Sequence, residues 1–458
     1  MINEKEMPFW KAVIPLIVMI VVMGITIIKL EQGPHVPLIV GTTVAAIVAL
    51  SSGFKWKDIE ESMYKGIRLA LPAVVIIMLV GITIGAWIGG GIVATMIYYG
   101  LKIITPSLFL VSITIICAVV ALAIGSSWST MGTIGVAGMG IGLSMGIPAP
   151  MIAGAIISGS YFGDKMSPLS DTTSIASMMM KVDLFEHIRN MAWTTVPGFI
   201  ISLIVYAVIS PNASSANLHR LISYQESLMQ TNLVHWYSLL PILVLVIFAI
   251  KKISAFITLA FNSIFAVILS YFHHFTSGKE LFGILFNGYV SETGNTAIDS
   301  LLTRGGINSM MFTVSLIILA LSMGGLTFAL GIIPVLLQSL GKILNKVGSV
   351  IMAAALTAVG INIFIGEQYL SIILTGESFQ QSFQKVGLAN KNLSRVLEDA
   401  GTVVNPLVPW SVCGVFLTNV LGVSTLEYFP FAFFCLLSPL LTILFGFTGK
   451  TLTMIDKN

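Results

Sequence analysis

GSYFGDKMSPLSDTTS, residues 159–174, decides how the rest of the chain is read. An apolar helical pattern over 150–158 runs into it, and another over 175–180 runs out. Between them stand Asp164, Lys165, Pro168, Asp171 and a cluster of hydroxyls. The chain around them is 56% hydrophobic and only 9% charged, with a mean hydropathy of +0.96. Soluble domains carry about 25% charged residues, so this is an all-α polytopic membrane protein set in a lipid bilayer. The stretch then lies at bilayer depth. Non-helical backbone is tolerated there only where it is buried in protein or lines a polar cavity. Half-helices separated by a polar break are how many secondary transporters build ion and substrate sites.

Composition excludes other classes. A net charge of +3 is too small for a nucleic-acid partner. Cys117, Cys413 and Cys435 lie far apart in apolar runs, without metal spacing or a disulfide framework. No haem, quinone, metal or nucleotide motif is present, so neither an enzyme nor a cofactor is expected. The first apolar run, 12–30, has the length of a span and lacks a small-residue cleavage site.

Spans are expected at 12–30 and 36–50. The polar segment 54–68 carries Lys55, Lys57, Lys65 and Arg68, which places it and the N-terminus in the cytoplasm. A long span at 69–97 follows. The 107–147 region reads as a re-entrant hairpin with Gly125 to Thr130 at its tip, or as two full spans; the hairpin is preferred. The broken helix 150–180 comes next, then a span at 192–209 and an external loop. The second half repeats this order, with spans at 237–250 and 253–272, a polar segment 279–304, a long span 310–340, a tip at 366–371, a second break at 398–411 and a last span at 428–447.

Near-constant offsets mark a duplication. Ile124-Gly125 and Trp128 answer to Ile365-Gly366 and Tyr369, 241 residues on; Ser167-Pro168-Leu169 answers to Asn405-Pro406-Leu407, 238 on. An odd number of crossings in the first half inverts the second. The expected division is a first repeat over 1–210, an external linker over 211–236 and an inverted repeat over 237–458, with both termini cytoplasmic.

GSYFGDKMSPLSDTTSIAS in the first half and LEDAGTVVNPLVPWS in the second resemble the signatures of the NhaC family of sodium/proton antiporters. The resemblance runs over nearly the whole chain. It implies a bacterial plasma-membrane exchanger of Na+ and H+, hairpin tips that meet broken helices, and a homodimer. The same family includes members that exchange malate for lactate, so a Na+/H+-coupled carboxylate exchanger is the alternative.

Five acidic residues fall in or beside the breaks: Asp164, Asp171, Glu367, Glu398 and Asp399. Intramembrane ionisable groups are costly and mark function by default. Sodium takes hard oxygen ligands, by analogy with other hard cations, and a carboxylate can hold either a cation or a proton. Asp164, Asp171, Glu367 and Asp399 are the expected cation ligands. Ser127, Ser129, Ser167, Ser170, Thr172, Thr173, Thr402 and Asn405 are expected to add neutral oxygens. Asp171 is expected to carry the ion, with capping of the second half-helix as the alternative reading; Lys165 is expected either to hold neighbouring Asp164 as an ion pair or to neutralise an organic anion. Trp128 and Tyr369 are candidate gates.

Overall fold

The computed structural model describes residues 8–455, except 31, 104, 211–224, 252, 273–276, 293–297, 300–301, 330 and 332–345. Among these the regular secondary structure is helical, apart from two isolated β-bridges. Five helices are long and apolar enough to cross a membrane, or up to eight if each bent pair is one span. The expected linker and the second polar segment fall partly outside the described residues.

The polar segment 54–68, expected to lie between spans, is from Trp56 onward the opening of a 34-residue helix, Trp56–Gly89. Its polar turns support themselves: Glu61 pairs with Lys65 at 3.1 Å, and the Tyr64 hydroxyl donates to Glu60 at 2.7 Å. The helix ends at Gly90-Gly91, and the chain turns by 67° into Ile92–Ile103. Gly91 sits at φ +72°, and a Cβ there would come 2.1 Å from the Leu233 carbonyl oxygen, so only glycine fits.

The duplication is visible in the helices, in one constant register. Pro106–Ile124 and Val347–Ile365 are both 19 residues long, 241 apart, and end at Gly125 and Gly366 in the left-handed conformation. Ser126 and Glu367 then cap the next helical runs. These run to Ser144 and Lys385. Farther on, Ser170 and Ser411 cap Asp171–Met179 and Val412–Leu421. Leu184–Ile209 answers to the bent pair Thr425–Phe431 and Phe433–Thr448. The 241-residue offset therefore holds through the breaks. Pro168 answers to Pro409, and Asn405 answers to Asp164 rather than to Ser167. The local Ser-Pro-Leu and Asn-Pro-Leu likeness is a coincidence three residues out of register.

Pro106–Ile124 and the run from Ser127 to Ser144 form a helical pair joined at Gly125. Pro106–Ile124 is long enough to cross the bilayer, but its tip packs on the break in the following helix. A Cβ on Gly125 would come 2.6 Å from Leu169. Beyond that break the nine-residue helix Asp171–Met179 continues, about 13 Å farther. Close approach secures the packing: a Cβ on Gly159 or Gly163 would come 2.1 Å from the carbonyl oxygen of Thr114 or Ala118.

Candidate ion-binding site

Ala149–Met166 stops because Pro168 lacks an N–H and disfavours helical geometry in the residue before it. Ser167 is extended, and its hydroxyl accepts from the Leu169 N–H at 3.2 Å. The cap of the next helix is Ser170, not Asp171: the Ser170 hydroxyl accepts from the Thr173 N–H at 3.5 Å. The Thr172 hydroxyl lies 3.1 Å from that of Ser170, and the Thr173 hydroxyl donates to the Lys165 carbonyl at 3.2 Å. These side chains mend the break. The chain departs from helical geometry only over 167–170, four residues.

Asp164 and Asp171 face one cavity of about 400 Å³, with Ser126, Ser127, Trp128, Gln368 and Tyr369 in its wall. Asp164 is buried. Its Oδ2 accepts from both the backbone N–H (3.0 Å) and the hydroxyl (2.6 Å) of Ser127, at the hairpin tip. Its Oδ1 has no hydrogen-bond donor. Asp171 is exposed and fully engaged: Oδ1 accepts from the Thr172 N–H at 2.9 Å, and Oδ2 accepts from the Tyr369 hydroxyl. Tyr369 belongs to the second tip, so that tip reaches the first break. In reciprocal fashion, Trp128 of the first tip stacks on Phe416 of the second half, centroids 5.1 Å apart.

Lys165 does not pair with Asp164. It forms a fully buried ion pair with Asp399 of the second half. Thr194 donates to the same Asp399 oxygen at 3.1 Å, and Ser438 stands 3.5 Å from the lysine. Consecutive helical residues point about 100° apart, so Asp164 faces its own hairpin while Lys165 faces the other half. Beside this pair, Glu398 is completely buried with both carboxyl oxygens unpartnered, and the Thr402 hydroxyl is likewise without a partner. Asp399 and Thr402 thus belong to a second polar centre.

The remaining expected residues serve the tips and the second break. Ser129 donates to the Ser126 hydroxyl at 3.0 Å. Glu367, buried, accepts from the Leu370 N–H at 2.9 Å and caps its helix. Asn405 donates to Asn362 at 2.8 Å and accepts from the Cys413 N–H at 3.0 Å. The four carboxylates therefore do not converge. Among the described residues, no group of three or more His, Cys, Asp or Glu side chains could hold a metal ion. Sequence reading missed Asn362, Thr194, Gln368 and Ser438. Asn362 carried a signal, as the sole amide in the 347–365 span. Thr194 and Ser438 are ordinary hydroxyls in apolar helices and carried none.

A helical membrane fold with broken helices, hairpin tips and a carboxylate-lined cavity at their meeting defines a transporter. A sequence model of the Na+/H+ antiporter family matches residues 159–450, beginning at GSYFGDKMSPLSDTTS. The Na+/H+ antiporter NhaC of Alkalihalophilus pseudofirmus is 42% identical over 431 residues, covering 94% of this chain and 93% of that protein. NhaC of Bacillus subtilis is 38% identical over 454 residues, covering 98% and 100%. The malate-2H+/Na+-lactate antiporter of Bacillus subtilis is 37% identical over 430 residues, covering 92% and 90%. The chain belongs to the Na+/H+ antiporter family.

Proposed function

We propose that this protein is a secondary active antiporter that exchanges Na+ for H+ across a bacterial plasma membrane by alternating access. The observation that carries the site is Asp164: a buried carboxylate at a helix break, one oxygen held by the Ser127 N–H and hydroxyl, the other with no donor. Such an oxygen suits a hard cation or a proton, and each displaces the other. Asp171 and the Ser127 hydroxyl complete the polar wall, and Tyr369 gates it by holding Asp171. The two repeats, 1–210 and 237–458, run in opposite senses about the 211–236 linker, both termini are cytoplasmic, and two copies associate.

An organic anion is not the cargo in this reading. The named cavity wall presents two carboxylates and no lysine, arginine or histidine, so it repels a dicarboxylate. In proteoliposomes with an internal pH dye, an imposed Na+ gradient is expected to drive proton movement without malate or lactate. Exchange that appears only with both acids present assigns the carboxylate activity instead. Asp164→Asn is expected to abolish Na+-driven flux; near-normal flux in that variant removes Asp164 from the mechanism.

A further inference from the structure

The shared register exposes an asymmetry between the halves. Asp164 and Asn405 occupy the same position, so a carboxylate in one repeat is replaced by an amide in the other. Asn405 is closed on itself: its carbonyl accepts from the Cys413 N–H at 3.0 Å, and its amide donates to Asn362 at 2.8 Å. Asn362 in turn donates to the Gly401 carbonyl at 2.7 Å. The residue answering to Asn362 in the first half is Ala121. It packs beside the Asp164 turn, since a Cβ on Gly163 would come 2.8 Å from the Ala121 Cβ. The first half therefore offers a methyl group where the second offers an amide. Asp164 keeps an oxygen with no donor, whereas Asn405 is neutral and satisfied.

A hard cation needs free oxygen ligands, and anionic ones bind it best. We infer that the chain binds one Na+ per molecule, at Asp164, and that the Asn362–Asn405 pair is a plug that denies the equivalent second-half position to another cation. The inference rests on the reading of Asp164 as the cation ligand. Glu367 does not replace the missing charge, because its carboxyl caps a helix as Ser126 does in the first half; Glu398 does not either, because its free oxygens lie beside the buried Lys165 ammonium, which repels a cation there.

The test is equilibrium binding of radiolabelled Na+ to the purified full chain. Binding is expected to saturate at about one ion per chain without cooperativity, to weaken at least about tenfold in Asp164→Asn, and to persist in Glu367→Gln. Two bound ions, one of them kept in Asp164→Asn, overturns the single site and leaves the Asp164 reading intact. One bound ion that Asp164→Asn retains overturns the Asp164 reading itself. The double variant Asn362→Ala, Asn405→Asp copies the first-half pattern into the second. It is expected to gain a second bound Na+; a folded, monodisperse double variant that still binds one ion overturns the plug.

Discussion

Two adjacent residues, Asp164 and Lys165, have different partners, and this decides which substitutions damage folding. Asp399→Asn leaves a buried ammonium without its counter-charge, as Lys165→Met strands Asp399. Breaking such a pair typically costs about 3–5 kcal/mol, so both variants are expected to melt markedly earlier in detergent. Asp164→Asn keeps an acceptor oxygen for Ser127 and is expected to stay within about 1 kcal/mol of the parent. Early melting of Asp164→Asn with a normal Asp399→Asn reverses the assignment. Sequence alone could show that an intramembrane lysine needs a carboxylate. It could not choose Asp399 over the nearer Asp164, because chain adjacency puts two helical side chains on different faces, and only the packed fold says which face meets which half. The same limit applied to Asp171, whose engagement by Tyr369 arises 198 residues away.

At the scale of elements, the hairpin against Ala149–Met166 depends on contacts that admit no side chain. Gly163 has the Ala118 carbonyl oxygen 2.1 Å from where a Cβ would stand. Gly163→Ala is expected to force the two helices apart, draw Ser127 from Asp164, and abolish Na+-driven flux. Overpacking typically costs about 1–3 kcal/mol, readable in the same thermal assay; unchanged flux and melting would show that the helices yield freely. Both breaks were readable because proline, serine and carboxylates interrupt apolar runs there. Their widths were not: the polar residues between the apolar patterns 150–158 and 175–180 suggested a long irregular segment, yet the helix persists to Met166 because Asp164 and Lys165 find partners without leaving it. The charged opening of Trp56–Gly89 misled for the opposite reason, since polarity alone does not end a helix whose side chains pair along it.

For the whole molecule, the equivalent ends of the two post-break helices fix the sense of the repeat. Lys181, at φ +53°, follows Asp171–Met179, and Gly422, at φ +71°, follows Val412–Leu421. An inverted duplication puts these ends on opposite sides of the membrane. Cysteines placed singly at Lys181 and Ser424, both exposed, are expected to react with an impermeant maleimide from opposite faces of intact cells and inside-out vesicles. The three native cysteines are buried and give little background. Reaction from the same face would make the repeat parallel. The duplication itself was legible from the tips, where Gly125 and Gly366 stand in matching apolar runs. Its true register through the breaks emerged only from the helix caps, because serine at a cap is chosen for backbone geometry and is too common in sequence to stand out.

The placing of Asp164 and Lys165 on consecutive positions makes their helix behave as a cam. One lobe bears on the hairpin of its own half and the next lobe on the core of the other. A roll of the shaft large enough to free the first from Ser127 also turns the second away from Asp399. A roll that opened the cavity would thereby loosen the join between the halves.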